Sequence, residues 1–554
     1  MERLEEDLQA NSSEVAATVL NSMSNLMRLW KSRVMAIVGI VRAGETEHRE
    51  VANIAAQIGA DYHGRFIVEL LQNASDQAAD GGLRDSSVTI VRASEFVAIA
   101  NEGTPFDDKG LRSITSLGLS TKNPQDAIGN KGIGFKSVFQ VSESPEIYSS
   151  PSTAGSYADA DGLMFKLSLT PFACAEFENA ARLMVTEQMG GLQAGDVTFT
   201  VEQVLEEIKA AAPFKFPLPL SLSDLANRVS EISDCPAGQT LVVLPLRKTP
   251  GTAETVEHAI DELFAEAGAA ILFLPSISTI RVVDHVRGFT RTIKRRVCRR
   301  RRVDGFGDLT TVVTAVQQDG TVLDKRAWRV IQRRMGVADV VSEEQASIEA
   351  ERINSEASKL PGANWERVHS SPIGVAVPLP KKVAPDGSLL LGVRGRVRIG
   401  LPTKDPTGTP AWINAHFHGT ISRTGIDLLD NSYNKILFAE AVRLHDALVA
   451  DLKADANVRI RRTATLVFER GEGPLADVLY ATEGQVNGEV VLSCDAKTFQ
   501  TPAGTVLPDP ADVDALLLMM PQTAGWSSFG LTLPEAVLTR NARALMGSLV
   551  GSRT

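Results

Sequence analysis

Paired cysteines, long apolar runs and a phosphate-binding P-loop are all missing from this 554-residue chain. Its four cysteines, Cys174, Cys235, Cys298 and Cys494, are scattered without CxxC or Cys/His metal spacing. That excludes a disulfide framework and a zinc site of the usual spacing, and it leads us to expect a cytoplasmic, reducing location. The apolar run Val34–Val41 and the segment Leu516–Met520 are too short to cross a bilayer, and the acidic N-terminal stretch has no secretory layout, so no membrane partner is expected. No GxxxxGK[ST] motif occurs, and the GxxGxG at 129–134 lacks the downstream acid of a dinucleotide fingerprint. A net charge of −10 argues against nucleic acid as a partner of the whole surface.

What is present begins with the segment Phe66–Asp76. At the helical period, Asn73 lies about 40° from Glu69 and Asp76 returns to within about 20° of it. Ile67, Leu70, Leu71, Ala74 and Ala78 take the opposite, core-facing side. Either this is an ordinary amphipathic helix with a solvated face, or the face is a site. A carboxylate one turn from a carboxamide suits ATP hydrolysis, with the acid directing a water and the amide oxygen holding Mg²⁺.

Downstream, Phe96–Ala100 reads as a buried strand running into the turn Asn101-Glu-Gly-Thr-Pro-Phe106. A glycine cluster follows, with Gly129, Gly132 and Gly134 allowing close backbone approach to an anion and Lys131 and Lys136 adding charge. In this order, the acid-and-Asn helix, the strand ending in Asn-x-Gly and the GxxGxG loop resemble the GHKL ATPases, the group of gyrase, heat-shock chaperone, histidine kinase and MutL. The wording of Tyr62–Asn73, Leu117–Lys122 and Gly132–Phe139 is similar to the sacsin-type members, and the resemblance reappears at Gly238–Pro245.

The resemblance implies a Bergerat-type two-layer α/β sandwich, an α+β fold, that binds ATP and Mg²⁺. By position, Glu69 matches the water-activating glutamate, Asn73 the magnesium ligand, Gly103 the glycine beneath the adenine and Thr240 a threonine near the purine. Asp76 shares the polar face, and Lys122 and Lys136 are the expected phosphate-side cations beside Gly129, Gly132 and Gly134. Two departures stand out. Asn101 replaces the usual Asp, offering an amide acceptor without charge, and Pro105 replaces the second glycine of that pattern. Both a hydrolysing and a binding-only site are compatible with Asn101.

Residues 1–60 read as a helical arm, 61–250 as the ATP-binding domain with an insertion near 150–235, 251–450 as an α/β middle or transducer domain, and 451–554 as a small C-terminal domain. The stretch Pro402–Asp427 is similar to the middle-domain loop of sacsin and heat-shock-type chaperones, which implies Arg423 as the residue reaching the γ-phosphate. The alternative is a surface arginine paired with Asp427. Lys294–Arg302 concentrates seven cations in nine residues without interleaved aromatics. It is either a phosphate-gripping patch or a solvated strand and turn balanced by neighbouring acids, and such a run is not expected at the centre of a sheet. Three client classes stay open. These are a protein client of a chaperone-like or clamp ATPase, which the acidic chain favours, a nucleic acid held by a MutL-like clamp, and a bacterial defence or stress module. An ATP-dependent dimer is compatible with each.

Overall fold

The computed structural model describes residues 12–45, 65–116, 134–149, 163–191, 199–211, 215–220, 240–361, 364–380, 394–420, 425–468, 470–481, 484, 488–489, 491–492 and 499–501. It is a mixed α/β structure. Helix α1 (Ser12–Ala43) precedes α2 (Phe66–Asp80), the hairpin β1 (Ser86–Arg92) and β2 (Phe96–Asn101), and the short α3 (Asp108–Ile114). A 3-10 turn, Gly134–Gln140, leads to β3 (Glu146–Ser149) and β4 (Leu163–Lys166). Helices α4 (Ala175–Gly190) and α5 (Val201–Ala210), the two-residue β5 (Leu218–Pro219), β6 (Thr240–Pro245) and α6 (Thr252–Phe264) complete the first half.

The second half is built from four long strands, β7 (Ile277–Asp284), β8 (Phe289–Val303), β9 (Gly307–Gln318) and β10 (Thr321–Met335), followed by α7 (Glu343–Ala357) and β11 (Ser371–Pro378). The hairpin β12 (Arg396–Ile399) and β13 (Leu401–Pro406), then β14 (Trp412–Ala415) and α8 (Ser432–Ala454), follow. Among the described residues, fourteen strands form one continuous sheet in the order β13-β12-β14-β11-β10-β9-β8-β7-β1-β2-β6-β3-β4-β5. The two halves meet where β1 and β7 pair in parallel, from Ser86 opposite Ile277 to Arg92 opposite Asp284. A buried ion pair, Arg92 Nη1 to Asp284 Oδ2 at 3.2 Å, lies at the end of that ladder.

Strand alternation divides the first half's core into two layers. Val88 and Ile90, Val97 and Ile99, and Val242 and Leu244 pack on the side of α1, α2, α4, α5 and α6. Their neighbours Val91, Ala98, Ala100, Leu241 and Val243 form a separate apolar cluster with Tyr148 and Met164 on the reverse face. A strand buried on both faces reads as an unbroken apolar run, which is why Phe96–Ala100 was legible as a strand but its two faces were not. In the second half, α7 and α8 cover one face through Leu309, Ile331, Val375 and Leu444. The other face carries Val312, Trp328, Val330 and Trp412 beneath Leu272 and Phe273. The first core continues past residue 250, taking in Val256, Ile260, Ile280 and Ile293, and it receives Leu401 from the β12–β13 hairpin. No helix among the described residues is long and apolar enough to cross a membrane.

Candidate functional site

Helix α2 turns Glu69 and Asp76 inward, at 2% and 6% exposure, and leaves Asn73 half-buried. A solvated face is therefore not what the polar stripe forms. Burying a carboxylate in a helix is costly unless the surroundings satisfy it, and what lies against Glu69 is the start of the 3-10 turn. A Cβ on Gly134 would overlap Glu69 Oε2 and lie 2.8 Å from its Cδ. Only glycine lets the backbone reach the carboxylate. The turn is pinned by Ser137, whose hydroxyl donates to Gly134 O at 2.7 Å, and by the buried Phe135 and Val138.

At the other end of α2, Gly103 rests on the helix backbone. Its φ is +129°, and a Cβ there would stand 2.6 Å from Ala78 N. Thr104 N–H then donates to Gln77 O at 2.9 Å, holding the Asn-x-Gly turn on the helix. Asn101 Nδ2 donates to Gln77 Oε1 at 2.8 Å and to Glu102 O at 3.0 Å. With both donor hydrogens directed this way, Oδ1 is the acceptor that Asn101 can still offer.

Strand register brings Asn101 and Thr240, the residues that the sequence resemblance placed near a purine, together. Asn101 stands opposite Thr240, and Thr240 opposite Ser149, so the three occupy one rung of β2, β6 and β3. Thr240 Oγ1 and Ser149 Oγ are 3.1 Å apart, and Phe106 N–H donates to Ser149 Oγ at 2.8 Å. Gln77 and Ser149 were not singled out from the sequence. Gln77 follows Asn73 by four residues, so the helical period could have found it; Ser149 needed the register of a strand whose partner lies 91 residues away.

Lys136 is placed in the interior, where its ammonium donates to Ile114 O. Burial, and then the charge of Arg33, push its pKa down to about 7. Arg33 itself donates to Thr115 Oγ1 at 2.7 Å and to Lys215 O, and burial lowers it to about 10. The two cations thus tie α1, α3 and the 3-10 turn together behind the site.

Lys122, Gly129, Gly132 and Arg423 lie outside the described residues. The base of the Arg423 loop is described. Gly419 and Ile426 form a β-bridge, Thr420 N–H donates to Gly425 O, and Ile426 N–H donates to Asp405 Oδ2 at 2.7 Å. Asp427, the alternative partner of Arg423, accepts from Leu429 and Asp430 N–H, which hold its carboxyl below the usual range. The β12–β13 hairpin beneath that loop also touches α2, with Gln72 Nε2 donating to Ile399 O at 3.1 Å and Arg65 Nη1 to Pro402 O at 3.4 Å.

The basic strand β8 lies between β7 and β9, yet β7 pairs only with Phe289–Lys294. Among the described residues, the strand from Arg295 onward is paired on one side alone, so the arginine run lies at an edge of the ladder, consistent with its charge.

No family model matches the chain. It is similar over 85 residues, at 41% identity, to Protein NO VEIN of Arabidopsis thaliana, covering 15% of this chain and 3% of that protein. A second similarity, 30% identity over 102 residues, is to Protein MICRORCHIDIA 2 of the same plant, covering 18% of this chain and 16% of that protein. The matches therefore span only a small part of either relative.

Proposed function

We propose that this chain binds Mg²⁺-ATP along the polar face of α2 and hydrolyses it slowly, with the Bergerat-type architecture of a sacsin-type GHKL ATPase. The observation that carries this reading is the seating of the Glu69 carboxylate on Gly134, one turn of helix from Asn73. The partial similarity to MICRORCHIDIA 2, a GHKL-family ATPase, supports ATP as the ligand in coarse terms.

The residues present fit the cofactor. Asn73 supplies a hard carboxamide oxygen for Mg²⁺, and Asn101 Oδ1 and the Thr240 hydroxyl supply neutral groups for a purine edge. When bound, the ion neutralises charge on the phosphates. Glu69 orients the attacking water and accepts its proton, and its contact with the Gly134 backbone restricts the carboxylate to one direction. Gly129 and Gly132, outside the described residues, have the sequence of a loop that would let backbone N–H groups approach phosphate and act as a lid. Lys122 adds charge there, and Arg423 senses the γ-phosphate from the second half of the chain. Lys136, with its ammonium on Ile114 O, acts as a positioning residue for the turn that begins at Gly134. Turnover then reopens the lid and drives a conformational cycle of the chaperone or clamp kind.

Turnover and calorimetric nucleotide binding, measured together on two variants, test the reading. Glu69→Ala should keep binding and lose turnover, whereas Asn73→Ala should lose Mg²⁺-dependent binding and turnover together. A Glu69→Ala protein that hydrolyses ATP at the normal rate would overturn the assignment of Glu69. If the unaltered protein binds ATP but shows no turnover, the site is of the binding-only kind.

A further inference from the structure

The pleat of β8 sorts its seven cations onto two faces, and the two sets meet different fates. Arg300 and Arg302 stand opposite Thr310 and Asp308 of β9. Arg300 pairs with Asp308, Nε to Oδ2 at 3.7 Å, and Arg302 pairs with Asp339. Arg295, on the same face as these two, donates to Pro275 O at 2.7 Å. The opposite face carries Lys294, Arg296, Arg299 and Arg301, opposite Ala315, Val313, Thr311 and Leu309. Of these, Arg301 pairs with Asp451, which also holds Arg329. Lys294, Arg296 and Arg299 are exposed and make no side-chain hydrogen bond or ion pair among the described residues.

A one-residue bulge produces this sorting. The register passes from Val297 opposite Val312 to Arg299 opposite Thr311, leaving Cys298 unpaired in the ladder. Without it, strict alternation would put Cys298, Arg300 and Arg302 beside Lys294 and Arg296. With it, Arg299 joins them, and a row of cations continues along one face at a spacing of roughly 7 Å. The neighbouring positions on β9 are short, Thr311, Val313 and Ala315, and the end of α8 reaches this face at Arg301 and Arg329, where Asp451 and Asp455 hold the guanidinium groups. One strand further, Lys325 stands opposite Ala315 and is likewise exposed, about 10 Å from Lys294 across two strand spacings.

We propose that this open face of β8–β10 binds duplex nucleic acid through its phosphate backbone. Charge complementarity selects the occupant. A row of three exposed cations, with Lys325 about 10 Å to one side, matches the repeated charge of a phosphate backbone, one negative charge every few ångströms along the duplex. Two of the row are arginines, whose fork suits phosphate oxygens. The absence of aromatics along the row removes the stacking platform a single strand would use, and with it base readout. Binding is therefore independent of sequence and sensitive to salt. This inference is separate from the ATPase reading, because none of these residues lies in the α2 site.

The test compares two variants of equal net charge, Arg296→Ser/Arg299→Ser and Arg300→Ser/Arg302→Ser, on a duplex DNA of mixed sequence across a salt series. The full chain should bind at low salt, and the slope of log affinity against log salt should fall by about 2 in the first variant and stay unchanged in the second. Lys325→Ser should lower it by about 1. Three results would each overturn the proposal. These are no duplex binding at low salt, equal loss in both double variants, or binding to phosphatidylserine vesicles with this mutational pattern but none to duplex. Unchanged thermal unfolding of the double variants confirms that the fold is kept.

Discussion

The α2 site and the basic face of β8 both concentrate charge, and they treat it in opposite ways. Around α2, Glu69, Asp76 and Lys136 are taken out of water, with Glu69 set against the Gly134 backbone and Lys136 against the Ile114 carbonyl. Along β8, Lys294, Arg296 and Arg299 remain in solvent, placed by the sheet alone. Buried charge acts at short range and depends on sub-ångström placement, so it is suited to chemistry. Exposed charge acts over a Debye length of about 10 Å and tolerates imprecision, so it is suited to attracting a polyelectrolyte.

The sharpest way to break this contrast is to disturb placement while keeping every charge. Gly134→Ala adds one methyl group that must displace the end of the Glu69 side chain, a flexible neighbour, so the protein should fold. Turnover should fall by about a hundredfold, the scale expected when a catalytic group moves by about 1 Å. Steady-state ATPase assays check this, and a rate within twofold of normal would remove Gly134 from the site. An arginine-to-lysine exchange at Arg296 and Arg299 is the matching change on β8 and should alter duplex affinity by less than tenfold.

Gly103→Ala probes the other end of α2. Positive φ and the Ala78 backbone at 2.6 Å leave no flexible neighbour to move. The expected loss is about 3 kcal/mol of stability, read from the denaturant midpoint. Asn101→Asp is milder. Gln77 can turn its amide to donate to the new carboxylate, but Glu102 O would then face a second acceptor at 3.0 Å. Adenine-nucleotide affinity should hold or tighten by a few-fold. Calorimetry showing that binding disappears would mean that this rung does not face the base.

A pH-dependent effect concerns Lys136. Its folded pKa of about 7 lies below the ordinary 10.5, so the unfolded chain binds more protons between those values. The stability deficit is therefore complete below pH 7 and is relieved as pH rises toward 10.5. Relative to Lys136→Met, the unaltered protein should gain stability from pH 7 to pH 9. Parallel denaturant titrations showing a constant difference would place Lys136 in water.

What could be read from the sequence was whatever is local. The α2 helix, the strand at Phe96, the strand at Thr240 and the helix from Val201 all follow from periodicity and apolar runs within a few residues. Glu69 and Asn73 share a helical face, so their kinship was visible. The seat of Glu69 on Gly134 was not, because it joins residues 65 apart through a turn whose shape depends on the core below. Nor could the two faces of β8 be assigned, since the bulge at Cys298 reverses the alternation midway. Continuity of one sheet across both halves was equally hidden, for it depends on β7 pairing with a strand almost two hundred residues earlier.

That shared sheet has a mechanical consequence. Two bodies joined by a linker can swing apart freely, but here a seven-rung parallel ladder and the Arg92–Asp284 pair would have to rupture first. A rearrangement proposed at α2 would thus reach the second half through contacts inside one continuous sheet, and the β12–β13 hairpin is the element of that half that touches α2 through hydrogen bonds among the described residues. It reaches α2 through Gln72 and Arg65 to the Ile399 and Pro402 carbonyls, buries Leu401 in the first core, and is rooted by the buried Arg398, which clasps the Ala269 and Ala270 carbonyls. The hairpin therefore works as a strap rather than a hinge: apolar packing at Leu401 and the Gln72–Ile399 bond both hold it to the first half, so that loosening it takes the loss of both.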